Sequence, residues 1–412
     1  MSRNKRSLFP EIQALLVLAA RLEFTSDEER RFLAMAAALD DFGWARLADA
    51  AAEYRISGLL FKHLSEHGLK ARVPAATWVG WEKSNRLQTL CGLRTYGQLG
   101  RIADAATAEG IDILLLKGAY LARWVYRNPT LRPFNDFDLL CRRSDIPAMT
   151  RLLGRLGFAQ EAPVAQSRVH AKLAGSMTHH LSPFAQAGWP HIELHTALTA
   201  VHQDGSHSMD AVWNRAVPLD WEGRRVFSLS FEDQILHLSL HLAHHLACGL
   251  IKLYWFSDIR EVIRGATPPV DWRPVIETAA SLGAGDKFAG LWRLLRVEWG
   301  IPFPDVFDHA GAAAQEPWNI PWLFANCGSG PRLEILREGY LRTLRMNRRI
   351  PSFPDKLLFF WKQIFPDRAY IRSRYKIPAG KSVFFHYFFH LYRGCRPFLP
   401  RCLGRLFPGQ TD

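Results

Sequence analysis

The segment from Ile111 to Cys141 constrains the fold of this 412-residue chain more than any other part of its sequence. It reads IDILLLKGAYLARWVYRNPTLRPFNDFDLLC. The run from Ile113 to Leu116 is short and fully apolar, which is typical of a buried strand. Lys117 and Gly118 interrupt that run, and apolar residues at helical spacing follow them. The predicted order is therefore strand, glycine turn, helix and second strand.

The second strand carries two acidic side chains, Asp136 and Asp138, at an i, i+2 spacing. Side chains two residues apart on a strand point to the same face and stand roughly 6.6 Å apart along it. Both can reach one metal cluster, whereas Phe137 and Leu139 face a core. Two-metal phosphate chemistry places its ions ~3.5–4 Å apart and bridges them with acidic groups. The pair therefore predicts a metal-dependent phosphate site that needs a third acid.

The downstream segment HIELH, from His191 to His195, supplies a third acid. Ile192 and Leu194 alternate with ionisable residues, which predicts a strand with one apolar and one polar face. The preceding THHLSPF and AQAGWP predict a partner strand and a turn. We expect Glu193 to arrive on this hairpin beside the strand of Asp136.

Taken together, these segments resemble the nucleotidyltransferase superfamily of DNA polymerase beta, and within it a group of uncharacterised bacterial nucleotidyltransferases. The resemblance is carried, in order, by LLLKGAYLARWVY, LRPFNDFDLL, HIELHTAL, FEDQILHLSLHLAHH, LYWFSDIREVI and FPDRAYIRSRY. It covers roughly residues 30 to 395. The acid block and the Lys-Gly turn are specific when they occur together. The resemblance implies an α+β fold with a small mixed β-sheet flanked by helices.

The resemblance also implies a reaction. A nucleoside monophosphate passes from an NTP, with ATP the expected donor, to a hydroxyl or phosphate of an unidentified acceptor, and pyrophosphate is released. Asp136 and Asp138 would hold two Mg²⁺ or Mn²⁺ ions, and Glu193 would bind the ion that activates the acceptor oxygen. Gly118 would let the triphosphate approach the backbone.

One departure from the family pattern concerns the turn. Most relatives have Gly-Ser or Gly-Gly there, whereas here Ala119 follows Gly118 and offers no hydroxyl. Lys117 or Arg132 is expected to supply charge to the phosphates instead, and His195 is expected to contact the nucleotide.

A histidine-rich helix is predicted between residues 231 and 264, with His237, His241, His244 and His245 along it. A metalloprotease is not indicated, because no general-base Glu lies between these histidines. Three interpretations stay open: a structural zinc site, satisfied core histidines, or neutral imidazoles that line the cleft opposite the acids. In the third, His241 contacts the nucleotide or acceptor. Two interpretations of Asp258 also stay open. It is expected either to orient one of the histidines or the catalytic base, or to be a carboxylate on the surface of the helix.

Length and composition predict a folded protein. The segments described above and the resemblance divide it into four regions. These are a helical N-terminal region that packs on the core (1–110), the nucleotidyltransferase core (111–230), a helical domain that closes the cleft (231–330) and a basic aromatic C-terminal region (331–412). A long helix from Pro74 to Glu109 is predicted to pack an apolar stripe on the sheet. The stripe comprises Trp78, Trp81, Leu87, Leu90, Leu93 and Leu99. Six cysteines without CxxC spacing indicate reduced thiols and a cytoplasmic protein.

The charge is concentrated at the C-terminal end. Residues 332–412 carry 17 Lys and Arg against 5 Asp and Glu, which is +12 of the net +13. Aromatic residues interleave with the basic ones, so we expect an anionic partner. The longest uncharged apolar run is about ten residues, too short for a span of ~20. Association in the headgroup plane is therefore favoured over a membrane span. Three interpretations stay open: first a solvated basic helical tail that packs through its aromatics on the main body, then an anionic membrane surface at the inner face, and then nucleic acid.

Three functions follow from the sequence. The first is a Mg²⁺-dependent nucleotidyltransferase that acts on a small-molecule, sugar, peptide or protein acceptor. The second is a catalytically silent relative that serves as an interaction module at the membrane surface. The third is an enzyme that adds nucleotides to RNA ends, for which no RNA-binding motif accompanies the core.

Overall fold

The computed structural model describes residues 9–161, 165–170, 179–198, 209–247, 250–282, 285–304, 319–326, 347–348, 350–378 and 380–395. The chain divides into two compact units. The first comprises Met1–Gln160 and His179–Gly330, and the second comprises Glu161–Thr178 and Pro331–Asp412. The predicted boundary at residue 331 coincides with the start of the larger segment of the second unit. The division of residues 1–330 into three regions stays a prediction.

Five helices precede the sheet of the first unit. They are α1 (Pro10–Ala19), α2 (Ser26–Ala37), α3 (Asp41–Glu53), α4 (Ser57–Glu66) and α5 (Ala75–Ala108). Helix α2 begins at a capping box, in which the Thr25 hydroxyl accepts from the Glu28 amide and the Glu28 carboxylate accepts from the Thr25 amide. This reciprocal pair satisfies two amides that the first helical turn leaves without a partner.

The long helix α5 packs through its two ends. Trp78, Trp81 and Leu99 are buried, as the stripe predicted. Leu87, Leu90 and Leu93 are 54 to 64 % exposed, so the prediction that they pack on the sheet was wrong. Spacing shows which residues share a helical face but not whether another element covers that face along its whole length.

Seven strands form one sheet. They are β1 (Ile113–Leu115), β2 (Asp136–Leu140), β3 (Ala159–Gln160), β4 (Phe184–Ala185), β5 (His191–His195), β6 (Val217–Pro218) and β7 (Val226–Ser228). Their order is β3-β4-β5-β2-β1-β7-β6. The pairs β2–β5 and β1–β7 are parallel, and the other pairs are antiparallel. This mixed sheet, flanked by helices, confirms the predicted α+β fold.

The register between β2 and β5 fixes the polar face of the sheet. Asp138 lies opposite Glu193, and Asp136 lies opposite His191. The intervening apolar side chains, including Phe137 and Ile192, are fully buried on the other face. The strand period of two thus separates an ionisable face from the core. The predicted placement of Glu193 beside the aspartate strand is confirmed.

Two short helices lie between β1 and β3 in the sequence. The turn after β1 forms a one-turn helix, α6 (Lys117–Tyr120), which runs into a π-helical turn from Leu121 to Val125. After β2 comes α7 (Ile146–Arg155).

The first unit continues in helices. They are α8 (Met209–Asn214), α9 (Phe231–Ala247), α10 (Tyr254–Gly265), α11 (Trp272–Ser281), α12 (Gly285–Trp299) and α13 (Ile320–Asn326). Helix α9 packs against α10, α11 and α12. These helices agree with the predicted helical region after residue 231.

The second unit contains α14 (Phe353–Ile364), α15 (Arg368–Arg374) and α16 (Phe384–Cys395). Its buried apolar residues form two small clusters, one around Phe359 and one around Ile371. Within the described ranges of the whole chain, no helix has both the length and the apolar content that crossing a membrane requires.

Candidate active site

Asp138 is the centre of the ionisable cluster on the sheet. It lies on β2, is 2 % exposed, and its Oδ1 accepts hydrogen bonds from Lys117 Nζ at 2.7 Å and from His195 Nε2 at 2.9 Å. Burial by itself raises the pKa of Asp138, but Lys117 and His195 together hold that pKa well below its usual range. Asp138 is therefore a buried carboxylate whose charge is fixed by two partners.

Lys117 reaches Asp138 from the turn after β1. Its backbone has φ of 45°, the left-handed region, which a residue other than glycine enters at a cost of about 1–3 kcal/mol. Burial alone lowers the pKa of Lys117, but Asp138 raises it above its ordinary value. The side chain therefore stays a cation, and the ion pair helps to hold the strained turn in place.

Gly118 packs so closely against Phe134 that there is no room for a side chain. A Cβ on Gly118 would lie 2.4 Å from Phe134 Cβ and 2.9 Å from Phe134 Cγ. The glycine is therefore required by the packing of an aromatic side chain, while the left-handed backbone belongs to Lys117. Its predicted contact with a triphosphate stays a prediction.

We expect Gly118→Ala to destabilise the protein by about 1–3 kcal/mol, because the new methyl group must displace Phe134. Urea unfolding measures the change. Gly97→Ala is the matched control. Apart from its chain neighbours and the backbone of its own helix, no atom of the described residues lies within 4 Å of the added methyl, and the helix gains about 0.5–1 kcal/mol. Equal stability of Gly118→Ala and the parent protein would contradict the packing role.

Glu193 and His195 complete the cluster from β5. The Glu193 side chain is 30 % exposed, and its Oε2 lies 3.7 Å from His195 Nε2. The contact with His195 lowers the pKa of Glu193. Burial alone lowers the pKa of His195, but the hydrogen bond to Asp138 and the contact with Glu193 raise it. Of the two carboxylates Asp138 and Glu193, Glu193 is thus the one that a substrate can approach.

The donor set fits a divalent cation. One ligand atom each from Asp138, Glu193 and His195 lies within 4.8 Å of the others. Carboxylate oxygen suits Mg²⁺ and Mn²⁺, and an imidazole nitrogen is also a common ligand of transition-metal ions.

Asp136 lies outside this set of three, two residues before Asp138 on the same strand. It is exposed at the surface, but neighbouring atoms displace part of its hydration, and this effect together with the charge of Asp138 raises its pKa. The neighbouring negative charge of Glu193 acts in the same direction. A divalent cation here would relieve the repulsion among the carboxylates.

A family profile described as an uncharacterised nucleotidyltransferase matches residues 40–297, which is more than half of the chain. The chain belongs to this nucleotidyltransferase family. The match spans every residue of the cluster around Asp138. The chain has no match among curated proteins or solved structures. The family supports an enzyme that transfers nucleotidyl groups.

In this nucleotidyltransferase, Arg132 and Asp258 are paired with each other. Arg132 Nε donates to Asp258 Oδ1 at 2.7 Å, and Nη2 donates to Oδ2 at 2.7 Å. Both side chains are buried, and the guanidinium lies 3.8 Å from the centre of the Tyr254 ring. Arg132 was expected to serve the phosphates and Asp258 to orient a histidine. The structure instead gives both residues to an ion pair that joins the β1–β2 connection to α10.

The α9 histidines include one with no hydrogen-bond partner. His237 is buried, and within the described structure neither of its ring nitrogens has a partner. Burial, and then the charge of Lys117, lower the pKa of His237 and His241 well below the ordinary value. Burial lowers the pKa of His245 to about 4, and its ring stacks on Trp255. Neutral imidazoles near Lys117 agree with the cleft interpretation, and the metal-ligand cluster found in the described residues contains none of them.

His179 is a neighbour of the cluster that the sequence argument missed. Its ring centre lies 5.3 Å from that of His195, and burial lowers its pKa to about 3. His180 bridges to His195 across the strands. The THH at the start of the predicted partner strand THHLSPF was the available signal, because residues on paired strands face each other.

Proposed function

We propose that this nucleotidyltransferase transfers AMP from ATP to a hydroxyl or phosphate of a small-molecule, sugar, peptide or protein acceptor, with Mg²⁺ or Mn²⁺ as cofactor. The observation that carries the proposal is the pairing of Asp138 with Glu193 in register on two parallel strands, beside Lys117. Nearby negative and positive groups of this kind suit a substrate that combines a triphosphate with a divalent ion.

The chain's own groups divide the work. Asp138 and Glu193 would hold the ion, with Asp136 at its edge, and His195 would fix the orientation of Asp138. When bound, the ion would neutralise triphosphate charge and lower the pKa of the acceptor hydroxyl. Lys117, which stays protonated, offers a positive charge to the phosphates.

The reaction balances as a displacement at phosphorus. The acceptor oxygen forms a bond to the α-phosphorus, the bond from that phosphorus to the bridging oxygen breaks, and pyrophosphate leaves with the electron pair. Glu193 would accept the acceptor's proton. This role is supported by its partly exposed carboxylate, whereas Asp138 is enclosed. His241 is proposed to contact the nucleotide from α9.

We expect label from the α-phosphate of ATP, and none from the γ-phosphate, to enter a product when the protein is incubated with Mg²⁺ and a cell extract as acceptor source, above the level that the extract alone incorporates. The γ-label should appear in pyrophosphate, and EDTA should stop both events. Transfer of γ-label would indicate a phosphoryl transferase and contradict the proposal. Parallel reactions with GTP, CTP and UTP determine the donor.

A catalytically silent relative is the second candidate, and it is favoured by two contacts. Lys117 binds Asp138 directly, and Phe134 fills the space beside Gly118. Failure of ATP with Mg²⁺ to raise the melting temperature would support this candidate. For RNA-end addition, a 3′-extension assay on an RNA oligonucleotide is expected to give no product.

A cytoplasmic location is part of the same proposal. Cys91 is an exposed free thiol and Cys141 a buried one, as expected for a reducing compartment. The partner of the basic C-terminal region is a separate matter, because that region forms the second unit.

A further inference from the structure

The second unit exposes far more apolar surface than its size predicts. Of the large hydrophobic side chains exposed in the described part of the chain, ten lie on α14 and α16, and eight of these ten are aromatic. The much larger first unit exposes nine, of which two are aromatic. Single exposed apolar residues are ordinary, but contiguous exposed patches mark an interaction surface.

Helix α14 presents one apolar stripe to solvent. Its exposed members follow helical spacing and are Phe353, Leu357, Phe360, Trp361 and Ile364. The opposite side provides the packing. Phe359 is fully buried and stacks on His170, with ring centres 4.4 Å apart. The outward stripe is therefore not needed for the fold of this helix.

Helix α16 turns its polar groups inward and its apolar groups outward. Tyr387 donates its hydroxyl hydrogen to the Pro366 carbonyl at 2.7 Å, and His390 Nδ1 lies 3.0 Å from the Tyr375 hydroxyl. The exposed side chains are Phe384, Phe385, Phe388, Phe389 and Tyr392. A helix whose solvent-facing side is the apolar one is built for contact with a non-aqueous phase.

The charge around these stripes has one sign. Residues 350–395 carry eight Lys and Arg against two Asp. Arg368, Arg374, Lys376 and Lys381 are exposed. No charged residue occurs from 382 to 392, so α16 offers an uncharged apolar face with cations beyond its start. Basic side chains beside an inserted apolar face are attracted to anionic headgroups.

We propose that the second unit binds the surface of an anionic lipid membrane, with the apolar stripes of α14 and α16 inserted at the level of the headgroups and first acyl carbons. A bilayer accepts Leu357 and Ile364 as readily as it accepts the rings, whereas neither aliphatic side chain can stack on a base. Single-stranded nucleic acid would also require cations interleaved with the rings, which α16 lacks. The proposal does not depend on the nucleotidyl transfer reaction.

The test is flotation of the full-length protein with vesicles of equal parts phosphatidylcholine and phosphatidylglycerol, beside vesicles of phosphatidylcholine alone. We expect binding to the anionic vesicles, weakened by added salt. Phe385→Ser with Phe388→Ser should weaken partitioning about 10- to 100-fold, because two inserted rings are removed. Both side chains are exposed, so the double variant is expected to fold.

The matched control is Leu87→Ser with Leu90→Ser, an equally exposed apolar pair on α5 of the first unit. It should bind the vesicles like the parent protein. Equal binding by the Phe385/Phe388 variant, or equal loss in the control, would overturn the proposal. Two further results would also overturn the proposal if the protein does not bind vesicles. One is a dimer, detected by light scattering, that is lost in the Phe385/Phe388 variant. The other is a complex with a single-stranded oligonucleotide that is lost in the same variant.

Discussion

Asp138→Asn is expected to lower the rate of nucleotidyl transfer by about 10³-fold or more, because one uncharged amide replaces the carboxylate at the centre of the cluster. The amide keeps the shape of the side chain but loses the negative charge that Lys117, His195 and a divalent ion all face. Transfer of α-label from ATP measures the effect.

The control for this variant is Asp104→Asn. Asp104 is an exposed acid on α5 whose ion pair with Arg224 lies on the surface, so its loss changes stability by at most about 1 kcal/mol and should leave transfer unchanged. Circular dichroism and the melting temperature of Asp138→Asn show whether it is folded. A folded Asp138→Asn that transfers label at the parent rate would refute the assignment of the site.

Glu193→Gln provides a second measurement on the same site. Glu193 is partly exposed and lies opposite Asp138, so the proposal assigns it to the cation and to the acceptor's proton. If Glu193→Gln loses transfer but still binds ATP, Glu193 acts in the transfer step and is not needed for binding of the donor. The two variants therefore distinguish failure of catalysis from failure of nucleotide capture.

The central pair of strands could be predicted because its information is local. The alternation in DFDLL and in HIELH states which side chains share a face, and the structure places Asp138 opposite Glu193. The pairing of β2 with β5 was expected from the need for a third acid, whereas the pairing of β1 with β7, which are more than 100 residues apart, was not predicted. Period and residue type were sufficient for β1, β2 and β5 and for their acidic face, but not for β3, β6 and β7.

The residues that the sequence argument placed differently depend on distant parts of the chain. Arg132 and Asp258 are 126 residues apart, and nothing near either one indicates that they meet. Gly118 was predicted to lie in a turn, but nothing in that segment indicates that its neighbour in space is Phe134. Leu87, Leu90 and Leu93 have the spacing of a buried helical face, but their side chains are exposed. A local sequence pattern predicts which face of a helix or strand a side chain occupies. The residues that pack against that face are determined by the whole fold.

We expect Asp258→Ala to lower the free energy of unfolding by about 3–5 kcal/mol, because it leaves the Arg132 guanidinium buried without its carboxylate. Two parallel hydrogen bonds and two charges are removed from a site where neither side chain reaches water. Urea unfolding of the full chain, followed by tryptophan fluorescence, measures the loss.

Asp233→Ala is the matched control, since it breaks a similar two-point pair with Arg215. The Arg215 side chain is 48 % exposed, so water can replace the lost carboxylate and the cost should be smaller. A second comparison is Arg132→Met with Asp258→Leu, which removes both charges and should recover most of the stability lost in Asp258→Ala. If Asp258→Ala lowers the free energy of unfolding by no more than Asp233→Ala does, burial of the Arg132–Asp258 pair does not increase the cost of losing its carboxylate.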